Sequence, residues 1–378
     1  MSSVEEFRTE IRGWLKTHLS GSFAALRGRG GPGREHEAFT ERLTWERHLA
    51  AHGWTCVGWP KEYGGRGASI AEQIAFHEEY ALADAPARVN HIGEQLLGPT
   101  LVDHGTEEQK ARFLPPIRAV EELWCQGYSE PGAGSDLAAV RTRATLTGGR
   151  WVVDGQKIWT SLAHEAQWCF VLARTEPGSR RHAGLSYLLV PLDQPGVEIR
   201  PIVQLTGTSE FNEVFFDGAV TDAAHVVGAP GDGWRIAMAT LGYERGVSTL
   251  GQQVGFRREL DALVALARRN GAAADPDIRD RLTRAWAGLE ALRAGALRGT
   301  DPSAAKLYWS HWHRDLGELA LEVCGPAATL AAGAPYELDD WQRLFLFSRA
   351  DTVYAGSSEI QRNIIAERVL GLPKEPRP

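Results

Sequence analysis

Apolar residues at Val4, Phe7, Ile11, Trp14, Leu15 and Leu19 fall near helical spacing and predict an amphipathic helix over 4–19. Helical patterning resumes over 35–52 and 70–82, on either side of Trp59-Pro60-Lys61-Glu62-Tyr63-Gly64-Gly65, whose proline and glycines mark a connecting loop. Two further helices are expected over 91–104 and 106–114. The second is opened by Thr106 as a cap, with Glu107 and Glu108 at the positive helix end, and Pro115-Pro116 is expected to stop it. From Trp124 to about Val227 the period changes. Short β-branched or aromatic runs over 168–173, 185–191, 197–202 and 213–216 read as strands. Residues 145–147, 151–154 and 157–160 read as successive hairpin pieces separated by Gly148-Gly149 and Asp154-Gly155. After Gly231-Asp232-Gly233 the helical period returns and persists, with Asp275-Pro276 and Asp301-Pro302 opening later helices. The pattern predicts an α+β chain: a helical segment over 1–120, a β segment over 121–228 and a second helical segment over 229–378.

A chain of 378 residues, 43% hydrophobic, buries a large core and is long for one domain, so two or three are expected. The formal net charge of -7 argues against a nucleic-acid partner. Acidic residues near the N-terminus do not suit a signal peptide, and no apolar run is long enough to insert in a membrane, so a cytoplasmic location is expected. Cys56, Cys125, Cys169 and Cys324 are widely spaced, which favours reduced, mostly buried thiols over disulfides or zinc.

Three motif matches carry no weight. Gly28-Arg29-Gly30-Gly31-Pro32-Gly33 fits a dinucleotide fingerprint, but it follows a helix rather than a strand and contains a proline. Ser303-Ala304-Ala305-Lys306 fits S-x-x-K without its partner motifs. His311 and His313 lie two apart, on different sides of a helix. No metal is assigned.

The stretch richest in chemistry is Ser129-Glu130-Pro131-Gly132-Ala133-Gly134-Ser135-Asp136, followed by Trp151 and by Gly155-Gln156-Lys157-Ile158-Trp159-Thr160-Ser161. The small residues and proline suit a turn whose N–H groups approach a polar or anionic ligand, and the strand tryptophans suit a flat ring. Either half alone also reads as an ordinary loop or as core. Together they resemble the acyl-CoA dehydrogenase family, which carries T/S-E-P-x-A-G-S-D and G-x-K-x-W-x-T/S; the loop at Trp59 resembles the family's W-P-x-E-Y-G-G. The resemblance implies an acyl-CoA dehydrogenase-like fold: an N-terminal helical domain, a middle β-barrel or sandwich domain and a C-terminal helical bundle. It implies FAD as cofactor and an acyl-CoA as substrate. By the same resemblance Ser129 and Ser161 hydrogen-bond the flavin, Trp159 packs on its ring, and Gly134 and Ser135 sit between flavin and acyl chain. Gln126, Ser357 and Glu359 complete the expected cofactor set.

Two departures from the family pattern sharpen the reading. Many members carry their catalytic base as the Glu of Y-E-G-T/S, whereas here the run is Tyr354-Ala355-Gly356-Ser357. Leu241-Gly242-Tyr243-Glu244-Arg245-Gly246 resembles the helix from which the isovaleryl-CoA and long-chain branches supply that Glu, which makes Glu244 the expected base. Arg245 is then expected to face the CoA portion, and the Ala355 backbone N–H to help polarise the thioester oxygen. The second departure concerns assembly. Where homotetrameric members have R-x-x-F-G and Q-x-x-G-G-x-G, this chain has Gly255-Phe256-Arg257-Arg258-Glu259-Leu260 and Leu321-Glu322-Val323-Cys324-Gly325-Pro326-Ala327. That pattern resembles the steroid side-chain branch, in which unlike subunits form an α2β2 tetramer. The resemblance implies dehydrogenation of a bulky or steroid side-chain acyl-CoA to a 2,3-enoyl-CoA, with an electron-transfer flavoprotein as acceptor. Two alternatives stay open: an inactive subunit that completes a partner's flavin site, and an acyl-CoA oxidase.

Overall fold

A computed structural model describes residues 4–244, 248–330 and 337–374, and these form two compact units, Met1–Glu244 and Arg245–Pro378. The first unit opens with α1 (Val4–His18), whose Phe7, Ile11 and Leu15 recur every four residues and are buried. Glu5 and Glu6 in its first turn and Lys16 and His18 in its last complement the helix dipole. Helices α2 (Phe39–Ala51) and α3 (Ile70–Leu82) pack with α1 around Trp45, Leu49, Trp54 and Phe76. A capping box of Ser69 and Glu72 starts α3. Arg8 and Arg12 of α1 converge on the buried Glu79 of α3 at 2.9 and 2.8 Å.

The Trp59 loop is structural. Trp59 is buried, donates its indole N–H to the Glu94 carbonyl at 2.9 Å, and lies so close to Gly98 that a Cβ there would overlap its ring. Helices α4 (Gly98–His104) and α5 (Glu107–Arg118) follow. The expected stop at Pro115-Pro116 does not occur, and α5 runs through both prolines. They fall in its last turn, where Phe113, Leu114 and Ile117 are buried, and this docking outweighs the missing N–H groups. Helix α2 begins four residues later than expected, because residues 35–38 form turns beside the buried Arg42.

Among the described residues eight strands form one mixed sheet: β1 (Trp124–Gly127), β2 (Arg143–Thr147), β3 (Arg150–Ser161), β4 (Trp168–Arg174), β5 (Leu185–Pro191), β6 (Val197–Ile202), β7 (Phe211–Asp222) and β8 (Val226–Val227). The order is β6-β7-β3-β2-β4-β5-β8, with β1 added parallel to β4. Strands β4 and β5 are nearly continuous apolar runs because both their faces are covered. Phe170, Leu172, Tyr187 and Leu189 meet the helices on one face; Cys169, Val171, Leu188 and Val190 face a second core with Val153 and Val214. Gly148 and Gly149, both at positive φ, turn β2 into β3 as a tight hairpin. Asp154-Gly155 is not a second turn. Strand β3 passes straight through it, and the register against β7 shifts between Val153 and Gly155. Helix α6 (Gly233–Glu244) then packs on β5, where a Cβ on Gly233 would come within 2.5 Å of the Ser186 backbone.

The second unit contains α7 (Ser248–Asn270), α8 (Pro276–Leu297), α9 (Pro302–Cys324), α10 (Asp340–Asp351) and α11 (Ser358–Ile364). Asp275 and Asp301 cap α8 and α9, each followed by proline in the first turn, as the pattern predicts. Phe256, Leu263, Leu289, Trp312, Leu316 and Leu344 form the core between them. No helix among the described residues is long and apolar enough to cross a membrane. All four cysteines are free thiols, three of them buried.

Candidate active site

The turn after β1 is fastened to β3 by one buried ion pair. Lys157 is completely buried, and its ammonium donates to Glu130 at 2.8 Å, to the Leu172 carbonyl at 2.8 Å and to the Tyr128 carbonyl at 3.0 Å. The Glu130 carboxylate also accepts the N–H groups of Arg141 and Thr142 at 2.6 and 2.8 Å. Burial alone would raise its pKa, but the Lys157 charge and these donors hold it below the usual carboxylate value. Burial lowers the Lys157 ammonium in turn, against the pull of Glu130. Sequence reasoning assigned neither residue a role. Nothing in the run Gly155-Gln156-Lys157-Ile158 marks the lysine as buried, since its partner Glu130 lies 27 residues earlier.

With the turn so anchored, Glu130 and Ala133 exchange two backbone hydrogen bonds of 3.0 Å, and Gly134, Ser135 and Asp136 lie exposed beyond them. A Cβ built on Gly134 meets nothing within 4 Å, and its φ is not positive, so neither packing nor backbone geometry demands glycine there. The Ile158 N–H reaches across to the Ser129 carbonyl at 2.9 Å instead of joining the ladder with β7. Between Lys157 and Thr160, β3 carries one more residue than β7, and at this bulge Trp159 adopts φ +60°. Its side chain is turned outward and is 56% exposed, touching Phe211 edge-on. An exposed indole on a left-handed strand residue is a costly arrangement with no packing return inside this unit. Ser161 and Gln126 are half-buried on β3 and β1. Trp151, expected beside Trp159 as a second platform, is instead core: it is 5% exposed and its N–H points to the Ala223 carbonyl. Trp151 pairs in regular register with Thr221 of β7, whereas Trp159 sits inside the bulge.

Glu244 is the last residue of α6; its side chain is not among the described atoms, and Arg245 lies outside the described residues. Gly233, Ile236, Ala237 and Thr240 are the buried side of α6. Thr240 donates to the Ile236 carbonyl and shares a 2.8 Å hydrogen bond with Thr100 of α4, and Tyr243 is hydrogen-bonded to Asp103, so the last turns of α6 are held against α4.

In the second unit Ala355 stands at φ +52° in the loop between α10 and α11. Gln361 is fully buried and donates its amide to the carbonyls of Ala355 and Gly356 at 3.0 and 3.3 Å, while no described group pairs with its Oε1. Ser357 caps α11, and Glu359 is exposed in its first turn; Glu359's own N–H and Ser357 hold its carboxyl below the usual range. Tyr354, next to Ala355, donates to Asp351 at 2.6 Å. Asp351 also binds His313 at 2.5 Å, and the other His313 nitrogen meets Glu259 at 3.0 Å. Burial would depress that imidazole, but its two carboxylate partners lift it to about 9. His313, read from sequence as without a role, therefore fixes the loop that carries Ala355, and Lys306 adds a hydrogen bond to the Asp351 carbonyl. Where homotetrameric family members have donors reaching a neighbour, Phe256 and Leu260 are buried and Arg257 pairs with Asp261 and Glu290.

Three family signatures cover nearly the whole chain: acyl-CoA dehydrogenase, N-terminal domain, over residues 2–121; middle domain, over 125–219; and C-terminal domain, over 231–370. The chain belongs to the acyl-CoA dehydrogenase family. It is an oxidoreductase of a flavin-dependent family. The acyl-CoA dehydrogenase IpdE1 of Mycobacterium tuberculosis is 68% identical over 99% of this chain and 99% of that protein. Among solved structures, the Tcur3481-Tcur3483 steroid ACAD is similar with a TM-score of 0.85 and 31% identity, over 98% of each chain. The ChsE4-ChsE5 complex from Mycobacterium tuberculosis is similar with a TM-score of 0.82 and 31% identity, over 100% of each chain. Within this acyl-CoA dehydrogenase, Trp159 and the Glu130-anchored turn lie in the segment matching the middle domain, and Ala355 in that matching the C-terminal domain.

Proposed function

We propose that this acyl-CoA dehydrogenase binds FAD and removes the α-proton of an acyl-CoA thioester with Glu244, giving a 2,3-enoyl-CoA. The observation that carries the base assignment lies in the sequence: alanine stands at 355, where many family members carry their Glu, and a Glu stands at 244, at the end of the helix that resembles the one from which the isovaleryl-CoA and long-chain branches supply theirs. The residues present fit a flavin. Exposed Trp159 offers a face for a flat ring, a Cβ on Gly134 would meet only open space, and Ser129, whose carbonyl accepts the Ile158 N–H, and Ser161 border the same bulge in the chain. Bound FAD supplies the acceptor for the hydride that leaves the β-carbon. The chain's own part is to hold the ring, orient the thioester and take the proton. Gln126, Ser129, Gly134, Ser135, Trp159, Ser161, Ser357 and Glu359 are assigned to the cofactor. Ser135, Arg245 and the Ala355 backbone are assigned to the acyl-CoA. The functional segments are 1–120, 121–228 and 229–378.

The relatives named for steroids and for a two-component complex support a bulky, steroid-type acyl group and an α2β2 assembly with a related subunit. Electron-transfer flavoprotein is the proposed acceptor. Glu244→Gln, purified with the partner subunit, tests the base. FAD content should stay unchanged while substrate no longer bleaches the flavin. Bleaching at the native rate would assign the proton transfer to another group.

A further inference from the structure

The end of α1 and the C-terminal half of α2 bring together three imidazoles that the flavin chemistry does not use: His18, His48 and His52. One ring nitrogen from each lies within 4.8 Å of the others. His18 Nδ1 and His48 Nε2 are already 2.9 Å apart. His52 is the C-cap of α2, four residues after His48, close to the spacing that puts two side chains on the same face and that helical metal sites use. His52 Nδ1 is held by the His48 carbonyl at 2.8 Å, so the nitrogen left to bind is Nε2. A second nitrogen tied to a backbone carbonyl is what orients a metal-bound imidazole.

The surroundings fit as well. Trp14 stacks on His18 with ring centroids 4.4 Å apart, and Phe23 and Trp45 border His48 at 5.3 and 5.9 Å. These rings wall the cluster on its inner side, while His52 is exposed and gives an ion a way in. No carboxylate belongs to the cluster, so the donor set is all-nitrogen and excludes magnesium or calcium as its natural ion.

We propose that His18, His48 and His52 form a site for one divalent transition-metal ion of the zinc type, which staples the end of α1 to α2 and leaves a fourth position to water. Tetrahedral zinc with bonds of about 2.0–2.1 Å separates its nitrogens by roughly 3.3 Å, so small ring rotations from the observed spacing close the site. The helix pairing, not the spacing along the chain, is what adds His18, which lies 30 residues before His48.

The test uses the FAD-loaded enzyme with its partner subunit, stripped with chelator and titrated with Zn2+ and, separately, Co2+. Native protein is expected to take one tight Zn2+ per chain at this site, to melt higher with Zn2+ than with chelator, and to show visible d–d absorption with Co2+. His52→Gln, at an exposed position that tolerates the change, is expected to lose that ion with an affinity drop of more than about tenfold. It should also lose the melting shift while keeping dehydrogenase activity. His48→Gln should behave alike, and Cys324→Ser, which removes the half-exposed thiol, should bind as the native chain does. Equal Zn2+ uptake by the native and His52→Gln proteins, no uptake by either, or loss of the ion in Cys324→Ser alone would each overturn the proposal.

Discussion

Replacing Lys157 by Met removes the ammonium that ties the Ser129–Asp136 turn to β3 while keeping the apolar stem. Lys157 is 0% and Glu130 8% exposed, so the variant leaves a carboxylate out of water with only the Arg141 and Thr142 N–H groups for company. It also removes the hydrogen bonds that the Tyr128 and Leu172 carbonyls accept from the ammonium. Breaking one side of a buried pair in this way costs about 3–5 kcal/mol. In a unit of this size that is roughly a 6–20 °C fall in melting temperature. Because the turn and the Trp159 bulge share this anchor, FAD content should fall with stability. Adding Glu130→Gln removes the stranded charge, so the double variant should melt above Lys157→Met alone. The assay is thermal melting with flavin absorbance on the same samples. Native melting and full FAD content in Lys157→Met would refute the anchoring role.

Gly134→Val should leave the apo fold intact, since an added Cβ meets nothing within 4 Å, and should weaken FAD retention; unchanged flavin content would show that no ligand approaches there. Trp159→Gly should relieve a strained φ of +60° and stabilise the apo chain by about 1 kcal/mol, while flavin binding weakens, as read by urea melts and flavin titration. The His313 imidazole is raised to about 9 from 6.5, so its contribution is complete below pH 6.5 and disappears as pH rises through 9. The shift amounts to about 3 kcal/mol. Melts of native and His313→Asn protein between pH 6 and 10 should therefore converge at the alkaline end; a gap that stays constant would discard the charged-imidazole reading.

Much of this protein is written in short-range patterns. The four-residue recurrence of Phe7, Ile11 and Leu15, the caps at Thr106, Asp275 and Asp301, and the apolar runs of β4 and β5 are local signals, and the elements they predict are present. So is the family, because its motifs are contiguous stretches. The order helical, β, helical follows from the same periods. What the chain's own order did not disclose depends on partners far away along it. Pro115 and Pro116 stay helical because Ile117 is buried against a core assembled from other elements. Lys157 is a buried cation because Glu130, 27 residues earlier, is folded back beside it. Trp151 and Trp159 look alike in a strand pattern, yet the first pairs in register with β7 and is buried, while the second falls in a one-residue bulge and is exposed. His18 meets His48 and His52 only when α1 and α2 pack, and His313 meets Asp351 only when α9 and α10 do. Periodicity reports which face of an element is apolar; it carries no information about which polar group waits on the element that covers it.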